Sequence, residues 1–166
     1  DGIAVSKDDL IDLRNLSIGG HTIQVIATDR AGNNAEASTT FIVKPLPATV
    51  EIEPRTLNIN SSGSWIQTKI QIPGYYASQI DSSSVRLNGT IPAEIKEIDY
   101  KEDVSELKIK FNRTLVQNIV GPGYTTLYIS GKVNGAAFIG NNTIKAIENN
   151  TEENPEKNAK NNGGKS

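Results

Sequence analysis

Apolar side chains recur in this chain at alternate positions, in short runs cut by Gly, Asn and Pro, and no long stretch repeats them at helical spacing. A segment patterned with period two buries one face of a strand and wets the other, so the chain is expected to be all-β. In His21-Thr22-Ile23-Gln24-Val25-Ile26-Ala27-Thr28-Asp29 the core set is His21, Ile23, Val25 and Ala27, while Thr22, Gln24 and Thr28 face water. Ile26 breaks the alternation. The polar turn Arg30 to Asn34 joins this strand to a second, Ala35 to Lys44, ending in Phe41-Ile42-Val43, and the two read as a hairpin.

Pro45-Leu46-Pro47 interrupts the pattern, because proline cannot donate to a ladder and stiffens a linker. Residues 45–48 are therefore expected to link a first unit, 1–44, to a second, 49–147. Strands in the second unit read as Thr49 to Glu53, Thr56 to Asn60, Ser64 to Ile72, Ser84 to Asn88, Ala93 to Tyr100, Glu106 to Phe111, Thr125 to Asn134 and Ala136 to Ile147. The last has a break at Gly140-Asn141, and Leu115 to Val120 forms a short helical turn. Short strands at this density predict a complete antiparallel β-sandwich. From Glu148 to Ser166 only Ala159 belongs to the hydrophobic set, so residues 148–166 are expected to be a disordered polar tail.

Composition removes several chemistries. Cysteine and methionine are absent and His21 is the sole histidine, which excludes thiol catalysis, disulfides and Cys/His zinc clusters. Seventeen basic against nineteen acidic residues provide no broad basic surface, so nucleic acid is not an expected partner. No run reaches the roughly 18 apolar residues of a membrane span. The missing initiator methionine points to a processed product or a piece of a longer precursor.

The segment Gly19-Gly20-His21-Thr22-Ile23-Gln24-Val25-Ile26-Ala27-Thr28-Asp29-Arg30-Ala31-Gly32-Asn33 resembles the last hairpin of the Ig-like domains of bacterial and archaeal cell-surface proteins and secreted enzymes. That resemblance implies a structural role for His21 and for the Asp-x-Ala-Gly-Asn turn, and makes residues 1–44 the C-terminal part of a partial Ig-like sandwich. Residues 49–147 resemble a β-sandwich module found at the C-terminal end of secreted archaeal proteins. Val50-Glu51-Ile52-Glu53-Pro54, Leu57-Asn58-Ile59, Ile80 to Gly89 and Leu127 to Gly135 carry the likeness. Such modules often hold calcium in an Asp-x-Asp-x-Asp-Gly loop, which implies that Asp99, Asp103 and Glu106 gather a weakly bound Ca2+. In this sequence Lys101 sits inside the loop and no glycine supplies its sharp turn, which favours a solvated acidic turn.

Asn-x-Ser/Thr acceptor sequences begin at Asn15, Asn60, Asn88, Asn112, Asn141 and Asn149. Chance would give roughly 2.7 from the Asn and Ser/Thr content, so six is an excess that fits export with glycosylation as well as an Asn-rich composition. Alternation places Trp65 opposite in phase to Ile66, Ile70 and Ile72, and Tyr128 opposite to Leu127 and Ile129. Both are expected on outer faces, where an aromatic either seals a neighbouring domain or stacks on a sugar ring.

The expectation from sequence is a non-catalytic structural or interaction fragment of a larger exported or cell-surface protein, a spacer or scaffold whose partners are upstream domains or an upstream fragment of the same precursor. The alternatives are a polysaccharide-binding accessory domain of a secreted hydrolase acting through Trp65, Tyr128 and nearby tyrosines, and a calcium-stabilised adhesion module.

Overall fold

A computed structural model describes residues 2, 4–6, 9–94 and 105–149, and in it the chain is all-β. Strands β1 (Gly19–Thr28) and β2 (Asn34–Val43) form a hairpin that, among the described residues, pairs with no other strand. The remaining strands are β3 (Leu46–Pro47), β4 (Thr49–Glu53), β5 (Thr56–Asn58), β6 (Trp65–Gln71), β7 (Ile80–Leu87), β8 (Ile91–Glu94), β9 (Glu106–Asn112), β10 (Gly123–Val133) and β11 (Ala136–Ile147). Their order is β3-β11-β10-β7-β8-β9-β6-β4, with β5 also on β11.

This path folds over on itself as a two-layer sandwich joined at both margins. At one margin, β8 gives Ile91 and Pro92 to β7, then Ala93 and Glu94 to β9. At the other, the chain pairs with β11 through β3, crosses at Ala48 to pair with β6 through β4, and returns to β11 as β5. Strands that change sheets in this way make the corners of a near-barrel. Ile66 and Ile70 of β6 and Leu107, Ile109 and Phe111 of β9 join Val85, Leu87, Leu127, Ile129, Phe138 and Ile144 in one buried core. Their polar neighbours in sequence lie outside, as the alternation requires.

Four sequence expectations are modified. Residues 45–48 are not merely a link: Leu46–Pro47 pairs with Phe138 and Ile139, and the Ala48 N–H donates to the Ile139 carbonyl at 2.9 Å. Pro47 is tolerated because only one side of this short strand is bonded. The sandwich is antiparallel except where β3 and β5 run parallel to β11. β11 passes through Gly140-Asn141 without a break, for a reason of close packing. The helical turn is present two to three residues earlier, as α1 (Arg113–Gln117), with the Asn112 side chain accepting the Leu115 N–H at its start. Of the strand expected over Ala93 to Tyr100, residues 95–100 lie outside the described residues, as do 150–166 of the tail.

The ladder is irregular between Ser130 and Lys132 of β10. There Ser84 Oγ accepts the Lys132 N–H at 2.8 Å and donates to the Asp81 carbonyl at 2.6 Å, so the Lys132 donor is satisfied despite the bulge. Thr68 is a contrasting case. It is 1% exposed, opposite Ile52 and Ile109 in register, and its hydroxyl has no hydrogen-bond partner. Thr68→Val removes that desolvated hydroxyl at nearly constant volume, and urea unfolding is expected to give a gain of about 1 kcal/mol. A loss would mean that the hydroxyl is satisfied in solution.

Candidate functional site

Among the described residues, the hairpin is the part least completed by other strands. In its register His21 lies opposite Phe41, Ile23 opposite Thr39, Val25 opposite Ala37 and Ala27 opposite Ala35, so one face is almost wholly apolar. The other presents Thr22, Gln24, Thr40, Ser38 and Glu36 to water, with Ile26 and Ile42 among them. A β-ribbon sorted this way has a core side, yet Val25 on that side is 59% exposed. His21, Ile23, Phe41 and Val43, nearer the sandwich, are half-buried. The His21 ring stacks on Phe41 with centroids 5.4 Å apart, and its Nε2 donates to the Ser17 carbonyl at 2.8 Å. This is a packing role at the strand end.

The distal turn is built by Asp29. Its Oδ1 accepts the N–H groups of Ala31 and Asn33, each at 2.8 Å, and its Oδ2 accepts from the Asn33 side-chain amide at 2.8 Å. Gly32 takes the left-handed φ of 88° that closes the loop. The Asn33 side-chain bond, with the backbone bonds behind it, holds the Asp29 carboxyl below its ordinary value. With the folded value depressed, the turn's contribution is complete above the unfolded carboxylate value and disappears as pH falls through the folded one. An NMR titration is therefore expected to move the Ala31 and Asn33 amides with Asp29 at lower pH than an ordinary aspartate, whereas titration at the ordinary value would contradict this turn.

The two candidate aromatic residues are not brought together. Trp65, 41% exposed, lies on the outer face of β4, β6 and β9, opposite Asn112; Tyr128, 48% exposed, lies on the outer face of β7, β10 and β11, opposite Asn141. Those are faces of different sheets. The Trp65 face is largely charged, and its Lys69 bridges to Glu51 at 3.3 Å. The hydrogen bond that Lys69 Nζ donates to Glu51, helped by the nearby Glu106 charge, raises the Lys69 ammonium above its ordinary value. Tyr124, 79% exposed and four residues before Tyr128, lies on the same face, because β10 begins at Gly123 and not at the Thr125 that alternation predicts.

Asp99 and Asp103 lie outside the described residues. Glu106 is half-buried at the start of β9, 3.7 Å from Lys108 Nζ. Among the described residues no group of three His, Cys, Asp or Glu side chains is arranged to hold a metal ion. Asn15, Asn60, Asn88, Asn141 and Asn149 are exposed, while Asn112 is half-buried with its oxygen at the start of α1. No helix among the described residues is long and apolar enough to cross a membrane. No protein-family model, curated protein or solved structure matches this chain.

Proposed function

We propose that this chain is a non-catalytic structural and interaction fragment of a larger exported or cell-surface glycoprotein, with a self-contained sandwich serving as spacer and a hairpin completed by strands from an upstream part of the same precursor. The observation that carries the reading is the contrast between the two units. The sandwich buries its apolar side chains in one continuous core, whereas the hairpin is sorted into an apolar and a polar face that no other sheet covers among the described residues. Among the described residues both hairpin strands also have one open edge, and an isolated two-stranded ribbon is marginal in water. Strands that cover the Ile23, Val25 and Phe41 face would complete an Ig-like domain of the kind the hairpin sequence resembles.

Trp65 and Tyr128, on different sheets, favour separate contacts over one polysaccharide platform. Limited proteolysis tests the reading. In residues 1–166 alone, cleavage between 19 and 43 should be rapid and leave a resistant core beginning near residue 45. In the longer precursor the same bonds should resist, and equal susceptibility in both would overturn the proposal.

A further inference from the structure

The backbone N–H and carbonyl of Tyr128 are both used on the β7 side. The N–H donates to Asn88 Oδ1 at 2.8 Å and the carbonyl accepts the Asn88 N–H at 2.7 Å. On its other side Tyr128 is therefore a non-hydrogen-bonded partner of Asn141. Cα atoms in such a pair stand about 4.5 Å apart and the side chains are closer than in any other cross-strand position. Both side chains are exposed on the same outer face. Asn141 opens an acceptor sequence whose third residue, Thr143, lies on that face too and shares a 2.9 Å hydroxyl contact with Thr126.

We propose that Asn141 carries an N-linked glycan whose first pyranose packs its C–H face against the Tyr128 ring. In the modification Asn141 Nδ2 attacks the anomeric carbon of a lipid-phosphate-activated oligosaccharide. The new N–C bond forms, the anomeric C–O bond breaks, the lipid phosphate departs with the electron pair, and one amide proton is lost to base. The ring then covers the sugar's less polar face, as amphipathic aromatic surfaces do.

The fold offers an internal contrast. Trp65 and Asn112 form the same kind of pair, since the Arg113 N–H donates to the Ser64 carbonyl beside them. There, however, the asparagine is half-buried and its oxygen caps α1. Asn141 has the aromatic neighbour and the exposure together.

The inference rests on the reading of the chain as part of an exported glycoprotein, and the experiment separates the two. Peptide mass mapping of the protein isolated from the cells that make it should find Asn141 occupied. Occupied sequons elsewhere with Asn141 bare would overturn this inference alone; no occupied sequon at all would overturn the glycoprotein reading with it. In the glycosylated protein, Asn141→Gln should lower the melting temperature by about 3 °C or more when Tyr128 or Tyr128→Phe is present, and by nothing measurable when Tyr128→Ala is present. Equal shifts in all three backgrounds would show that the glycan does not touch the ring.

Discussion

Phe111→Ala is expected to cost about 4 kcal/mol, the largest loss from any single side chain in the sandwich. Phe111 is 0% exposed in β9, flanked in register by Ile66 of β6 and Ala93 of β8. It fills the margin where β8 passes from one sheet to the other, so its removal empties a corner held by strands from both layers. A domain of this size has about 5–15 kcal/mol in total, and the variant should melt roughly 15–30 °C lower. Trp65→Ala removes a larger ring that is 41% exposed, and should cost well under half as much. Paired urea titrations decide the order; a Trp65 variant as damaged as the Phe111 variant would mean that the tryptophan is sealed by something in solution.

Gly140→Ala should destabilise the sandwich by about 3 kcal/mol while adding a single methyl group. A Cβ at Gly140 would run into the Ala48 carbonyl oxygen and stand 2.6 Å from Val50 Cγ2. The carbonyl is backbone and cannot rotate aside. Relief would require parting the crossing segment from β11, at the expense of the Ala48 to Ile139 hydrogen bond. Gly121→Ala is the matched control, because a Cβ there meets nothing within 4 Å. Thermal unfolding should separate the two variants clearly, and equal melting temperatures would show that β3 and β4 can shift at little cost.

These two positions also mark how far the fold could be read in the sequence. Alternation located Thr49–Glu53 to the residue and most other strands to within two or three, because burial on one face imposes period two directly. It set the apolar face of the hairpin too, since His21, Ile23, Val25 and Ala27 do share one side. What it missed depends on partners distant in sequence. Gly140 looked like a break, but the missing side chain makes room for the Ala48 carbonyl some ninety positions earlier. Pro45-Leu46-Pro47 looked like a linker because proline lacks a donor, and a strand bonded on one side does not need it. β7 begins at Ile80, four residues before the expected start, because the Asp81-Ser82-Ser83-Ser84 run is polar in composition while Ser82 is buried and Ser84 serves the bulge. At the candidate site, phase correctly put Trp65 and Tyr128 outside. Which sheet each belongs to, and the pairing of Tyr128 with Asn141, are properties of strand order that no local pattern carries.

The sandwich has one continuous core, the hairpin pairs with no other strand among the described residues, and amide hydrogen exchange on residues 1–166 in isolation measures both at once. The Ile66, Leu107, Ile129 and Ile144 amides should exchange only through global opening, while the Ile23, Val25, Ala37 and Thr39 amides should exchange many times faster through local opening. A monomer in which the hairpin amides are as slow as those of the sandwich would contradict the account, and would mean that β1 and β2 need no strands from elsewhere.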